Sequence, residues 1–409
     1  MQAWDYQVEV ATQGYEIMRK YGIVYLSMEE RTGKSIPTLL IARMLGAKSV
    51  LIVTQKKALV GWTKTLNEFD HGMRNVQLIN YHSVDKVVIT PDVVILDEPH
   101  NYCAAYPKTS GIWSKVHKAI GNAQVIYSSA TPHAQGPQQL FHQFALSRYS
   151  PWSMYRDFYD WFKAYAQRDD FGRLKTIRIS ATQDVIDYSA VQVAKIMHDV
   201  KHLFVSYTRK ELGFEQEPED IIHWIELNEV TRYVYNTLVK TKVLAFTHRE
   251  TGKDYELICD TPAKLRYALH MVEGGVLKVG EQYLSLGNTE KIDFILKTWG
   301  DTEDLVIMYQ YVQEGVKLNQ YFKKAKILQG TSNAEGVDLH KHKHLVIYSQ
   351  DFSTAKHTQR RARQANKNRE DEIHVHYLLV KKATSEQVYK TCSINKVNFV
   401  DSRFEKETI

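Results

Sequence analysis

Four consecutive apolar residues, Val93-Val94-Ile95-Leu96, run directly into Asp97-Glu98-Pro99-His100. A strand whose successive side chains are all apolar must be covered on both faces, the condition of a central strand in a parallel sheet flanked by helices. This directs the chain to an α/β fold. Two acids at the tip of such a strand are costly to bury side by side unless a cation or a proton relay compensates them. The pattern therefore fits a magnesium-nucleotide site, with Asp97 holding the metal and Glu98 orienting and deprotonating an attacking water; its alternative is a turn with solvated acids.

Further apolar runs repeat the strand-to-helix theme. Ile23 to Leu26 precedes Ser27-Met28-Glu29-Glu30-Arg31-Thr32-Gly33-Lys34-Ser35, and Ile36, Leu39, Leu40, Met44 and Leu45 follow near helical spacing. Pro37 suits the first turn of that helix and Gly46 its end. At such a junction free backbone N–H groups and the helix dipole favour an anion, Lys34 can reach terminal phosphates, and the Ser35 hydroxyl can ligate magnesium. Met28 stands where the usual phosphate-loop pattern has its first glycine, and Gly33-Lys34-Ser35 alone is equally a lysine on an exposed helix start. Val50 to Thr54 leads to Gln55-Lys56-Lys57 and a helix bearing Leu59, Trp62, Leu66 and Phe69. Val76 to Ile79 ends in Asn80-Tyr81-His82-Ser83, and Val125-Ile126-Tyr127 runs into Ser128-Ser129-Ala130-Thr131-Pro132. Polar residues at these tips face the crevice where parallel sheets bind ligands. The serine and threonine hydroxyls can bond to the acidic pair, or simply form a turn before proline.

A chain of 409 residues, 44% hydrophobic and 24% charged, has room for two or three soluble globular domains. Its net charge of +6 permits a polyanionic partner, and the positive charge is clustered near the C-terminus. Cys103, Cys259 and Cys392 are too scattered for a disulfide framework, no apolar run approaches the roughly 20 residues of a membrane helix, and no signal segment opens the chain. A cytosolic protein without a membrane partner is expected.

From Leu140 the composition turns aromatic: Trp152, Tyr155, Phe158, Tyr159, Trp161, Phe162 and Tyr165 fall in one expected helix. Packing against neighbours is favoured over base stacking. Residues 171 to 222 are expected to form helical protrusions. Trp224 to Leu227 predicts a strand entering a helix, and Tyr283 and Leu284 a small hairpin. A second α/β series then begins: Asn288 as a helix cap before Ile292, Ile295, Leu296 and Trp299, then strands at 305–309, from Lys326, at 345–348 and at 373–380. The alternating His340, His342 and His344 suit a surface better than a metal. Lys356, Arg360, Arg361, Arg363, Lys367 and Arg369 occur without an intervening acid. They form either a solvated polyanion-binding patch or a source of an arginine finger that neutralises charge on a transferring phosphoryl group.

In their order and spacing these motifs resemble a superfamily 2 helicase or translocase, most closely the compact Swi/Snf-like ATPases encoded by bacteriophages. Tyr6-Gln7 resembles the adenine-reading glutamine motif, Glu29 to Ser35 the first motif, Val53-Thr54 with Trp62 the next, Asp97 to His100 the DExH box and Ser129-Ala130-Thr131 the coupling motif. Gln329 to Leu339 resembles the fifth motif and Gln359 to Gln364 the sixth. Met28 and Arg31 depart from the glycines of many remodelling ATPases.

The resemblance implies two RecA-like parallel-sheet lobes with helical insertions: residues 1–215, with a helical appendage at about 140–210, and residues 216–409. It implies ATP and magnesium as ligands. Tyr6, Gln7, Glu29, Arg31, Thr32, Gly33, Lys34, Ser35, Gly336, Asp338 and Gln359 would bind the nucleotide, and Ser35 and Asp97 the metal. Lys34, Asp97, Glu98 and one of Arg360 or Arg363 would carry catalysis, while Thr54, Lys56, Ser129, Ala130, Thr131 and Thr331 would contact nucleic acid or couple to it. The implied activity is an ATP-driven motor on single-stranded, duplex or branched DNA, working in the host cytoplasm on phage replication or recombination intermediates, with branch migration as one mode. A nucleotide-controlled clamp or annealing factor and an RNA helicase are the alternatives.

Overall fold

The computed structural model describes residues 2–133, 136–180, 183–214, 218–247, 252–330, 339, 341–364 and 371–395, apart from the side chains at 179, 180, 355 and 359. The chain divides into two compact units, Met1–Phe214 and Glu215–Ile409. The first is built on six parallel strands: β1 Ile23–Met28, β2 Ser49–Thr54, β3 Asn75–Asn80, β4 Val93–Asp97, β5 Gln124–Ser129 and β6 Phe204–Tyr207. Their order across the sheet is β3-β2-β4-β5-β1-β6.

The unbroken apolar runs follow from coverage of both sheet faces. Tyr25, Leu51, Val53, Val94, Leu96 and Val125 enter one core, while their alternate neighbours Val24, Leu26, Val50, Ile52, Val93, Ile95 and Ile126 enter the other. A strand residue and its successor point to opposite faces, so both must be apolar when helices lie on both sides. Helices α1 Asp5–Tyr21, α2 Ser35–Met44 and α3 Leu59–Glu68 contribute to the second core through Val10, Met18, Leu39, Ile41 and Trp62.

The second unit repeats the principle with five parallel strands: β7 Glu219–Ile225, β8 Leu305–Tyr309, β9 Lys326–Gln329, β10 His344–Ile347 and β11 His374–Val380. Their order is β9-β8-β10-β11-β7. Leu305, Ile307, Val346, Leu378 and Val380 face one core, and Val306, Met308, Leu345, Ile347 and Leu379 the other. The fold class is thus the expected one, two α/β lobes on parallel sheets with insertions between the strands.

Several local expectations are corrected. The segment 140–210 is not a purely helical appendage: it contains the hairpin of Thr176–Ser180 and Gln183–Ile186, and its last strand, β6, joins the main sheet beside β1. The aromatic helix is only α4, Phe158–Tyr165, opened by Asp157, whose Oδ1 accepts the Asp160 N–H at 2.9 Å. Trp152, Phe158, Trp161, Phe162 and Tyr165 are at most 5% exposed, which leaves their faces to protein packing and not to bases. β7 begins five residues before Trp224. The cap of the helix Glu290–Thr298 is Thr289; Asn288 instead donates to Glu290 Oε2 at 2.8 Å.

Asn228 does cap its helix, Glu229–Thr241, accepting the Thr231 N–H at 2.8 Å. Asn228→Ala is expected to cost the second unit about 1 kcal/mol, read from denaturant unfolding, because one first-turn donor loses its partner. No described helix is long and apolar enough to cross a membrane.

Candidate nucleotide site

The phosphate-loop candidate begins where β1 ends. Glu29 N–H still bonds to Tyr207 O at 3.2 Å, then the chain turns through Arg31 and Gly33, both with φ of +67°, into α2 at Ser35. That left-handed region is open to glycine and strained for arginine, which explains why glycine is at home at such a position. At Gly33 a side chain is barred twice, by φ and because a Cβ would lie 2.6 Å from Gln7 Nε2. The first-turn N–H groups of α2 face this loop by construction.

Lys34 Nζ donates to Met28 O at 3.0 Å and Glu29 O at 3.4 Å, and lies 3.7 Å from Glu98 Oε1. That contact joins the β1 loop to the β4 tip across the intervening strand β5. Asp97 is fixed through one oxygen: Oδ2 accepts from Thr54 Oγ1 at 2.6 Å and from Trp62 Nε1 at 2.9 Å, so Oδ1 is left for a ligand. Tyr81 OH bonds to the Asp97 carbonyl at 3.0 Å. Burial, and next the neighbouring Glu98 charge, hold the Asp97 carboxyl above the usual carboxylate range; the Thr54 and Trp62 bonds and Lys34 oppose this.

Glu98 sits at φ +51° and is oriented by the β5 tip. Ser129 Oγ donates to Glu98 Oε2 at 2.7 Å. Having given its only proton, that oxygen is left to accept from His100 Nδ1 at 2.9 Å and from the Thr131 N–H at 3.0 Å. The result is a relay from the carboxylate through Ser129 to His100 and Thr131, with Ala130 between the two hydroxyls.

The N-terminal pair braces the loop. Tyr6 OH donates to Thr32 O at 2.7 Å, and Gln7, 1% exposed, donates to Gly33 O at 3.1 Å while accepting the Trp4 N–H at 2.9 Å. The Gln7 amide is thereby engaged by protein groups on both its oxygen and nitrogen. Thr32 Oγ1 is turned inward to Glu29 O at 2.8 Å, and the Glu29 carboxylate to Arg209. Lys56 opens the short 3₁₀ turn after β2 and is exposed.

The donor set fits a magnesium-bound nucleotide. Ser35 has a hydroxyl with no partner among the described residues, Asp97 has an uncommitted oxygen, and Lys34 is held mainly by backbone carbonyls that a phosphate can replace.

In the second unit Arg360 is 2% exposed, donating to Gln310 Oε1 at 2.8 Å and Ser349 O at 3.4 Å beside Asp351. Arg361 pairs with Asp220 at 2.6 Å and Lys356 with Asp351 at 2.9 Å. Three cations of the basic cluster are therefore tied to acids of their own unit, which overturns a uniformly solvated patch. Arg363 is half-buried just beyond the helix Thr354–Arg361. Thr331, Gly336, Asp338, His340, Lys367, Arg369 and the Gln359 side chain lie outside the described residues. Among those described, no cluster of histidine, cysteine or acid residues has the geometry to hold a metal.

Residues outside the expected site set also take part. Trp62, Tyr81 and His100 hold the acidic pair, and the tryptophan one helix beyond Thr54 and the histidine within Asp97 to His100 were the available signals.

No protein-family model and no curated protein sequence matches the chain. In structure it is similar to the SWI2/SNF2 ATPase core domain of Sulfolobus solfataricus, at 12% sequence identity and a TM-score of 0.42, over 98% of this chain and 91% of that one.

Proposed function

We propose that the chain is a nucleic-acid-stimulated ATPase, a motor of the Swi/Snf-like kind acting on DNA. The observation that carries this reading is the meeting of Lys34 and Glu98 at 3.7 Å beside an Asp97 pinned through a single oxygen. ATP is the substrate. Ser35 and Asp97 would hold magnesium, which would neutralise charge on the phosphate oxygens. Lys34 leaves its backbone carbonyls to meet the terminal phosphates. Glu98 orients a water and takes its proton, and the Ser129 to His100 relay keeps that carboxylate in place. The same relay ends at Thr131, so a change at Glu98 reaches the β5 tip. In the second unit Arg360 is occupied as an internal brace, and Arg363 is our candidate for the phosphoryl-neutralising arginine.

Branched replication or recombination intermediates of a phage are the proposed substrates, with branch migration as the mode, since directional tracking needs phosphate contacts and no strand-separating wedge. The test is ATP turnover by the full chain alone and with single-stranded DNA, duplex, a four-way junction or RNA. Stimulation by DNA, with displacement of a bound third strand, is the expected result. Preferential stimulation by RNA would reassign the substrate. ATP-dependent binding without displacement would make the chain a clamp, and failure to split ATP with any polynucleotide would end the motor reading.

A further inference from the structure

Glu29 is held from two directions. Its carbonyl oxygen accepts from Thr32 Oγ1 at 2.8 Å and Lys34 Nζ at 3.4 Å, both inside the loop. Its carboxylate accepts the Arg209 backbone N–H at 2.8 Å, with the Arg209 Nε 3.7 Å from the same oxygen. Arg209 also donates from Nη1 to Glu30 O at 3.5 Å, and Tyr207 O takes the Glu29 N–H. The two ends of this contact are 180 residues apart in sequence.

The segment on the far side is the last of the first unit. After β6 the chain makes a capped turn: Thr208 donates from N and Oγ1 to Glu211 Oε2 at 2.7 and 2.8 Å, and Phe214 N–H returns to Arg209 O at 3.0 Å. Leu212 and Phe214, 5% and 4% exposed, anchor it in the core that also holds Met28 and Ile36. Arg209 itself is 7% exposed, an arginine withdrawn from solvent. Beyond Phe214 the chain leaves for the second unit.

We infer that Arg209 is a positioning residue that couples the phosphate loop to the connection between the units. The inference rests on the loop being a nucleotide site. When Lys34 leaves the Glu29 carbonyl for a phosphate, the constraint on Glu29 changes, and the Glu29 carboxylate passes that change to Arg209 and the capped turn.

The experiment is amide hydrogen exchange of the full chain with and without magnesium-ADP, paired with ATP turnover with and without DNA, for the wild type, Arg209→Gln and Arg209→Lys. Nucleotide should slow exchange of residues 29–35 and of 208–214 in the wild type. Arg209→Gln keeps the backbone N–H bond to Glu29 and removes the guanidinium beside Glu29 Oε2 and Glu30 O, so the response at 208–214 should shrink while that of residues 29–35 stays, basal turnover should persist, and stimulation by DNA should fall on the order of tenfold. Arg209→Lys, which keeps the charge, should restore part of both responses and separates coupling from folding. Protection of the loop in the wild type without a response at 208–214, or undiminished stimulation in Arg209→Gln, overturns the coupling while leaving the nucleotide site standing. A loop that nucleotide does not protect overturns both.

Discussion

Glu98→Gln is expected to lower ATP turnover by about 10²- to 10⁴-fold while leaving the fold and nucleotide binding in place. Glutamine keeps the side-chain length and an oxygen that can still accept from Ser129 Oγ, now 2.7 Å away, so the β4 tip need not rearrange. What it lacks is the capacity to take a proton. The left-handed backbone at Glu98 is unchanged by the substitution, so a loss of turnover reports on the carboxylate and not on its placement. Lys34→Ala should also abolish turnover, but by another route. Removing the ammonium frees the Met28 and Glu29 carbonyls and takes away the cation that meets the terminal phosphates, so nucleotide affinity falls with the rate. Phosphate release and direct nucleotide binding, measured on both variants, separate the two roles. Full turnover in either variant contradicts the assignment.

The strands that build the candidate site were legible because they are covered on both faces. Runs such as Val93 to Leu96 and Ile23 to Leu26 have no polar interruption and end at polar tips, and order along the chain then brings the tips to one sheet edge. β6 and the first five residues of β7 were not legible, for a shared reason. β6 is four residues long at a sheet edge, and β7, with Glu219, Asp220, His223 and an exposed Trp224, is an edge strand whose outer positions need not be apolar. The fate of Arg360 was equally hidden. In sequence it is one of several cations in a basic run; its burial depends on Gln310, Ser349 and Asp351, which other strands deliver. The Glu29 to Arg209 contact has no local signature, since it joins the first strand of a sheet to the last.

Acidification is expected to weaken the second unit from within its sheet. His223, His344, His374 and His376 share one face of β7, β10 and β11, with Trp299 packed 4.8 Å from the His376 ring. His223 Nε2 and His376 Nδ1 are 3.0 Å apart, so one of them donates and the pair is comfortable only when not doubly charged. Burial, followed by the proximity of His223, His344 and His374, lowers His376 from 6.5 to about 4. Because the folded value lies below the unfolded one, this contribution is fully present above about pH 6.5 and is lost as pH falls towards 4, a difference of about 3 kcal/mol. His270, fully buried against Tyr311 OH and lowered to about 3, acts in the same direction. Glu273 opposes them: burial raises it to about 7, so its contribution grows as pH falls from 7 to 4.5 and then saturates. The loss should therefore steepen below about pH 4.5, where the Glu273 contribution has saturated. Hydrogen exchange of the β10 and β11 amides isolates this unit from the other, since the two need not unfold together. The stability advantage of the wild type over His376→Gln should shrink by about 3 kcal/mol between about pH 7 and about pH 4. An advantage that does not change with pH would mean that the imidazole stays solvated, and the packed face of β7, β10 and β11 would have to be more open than its neighbours make it.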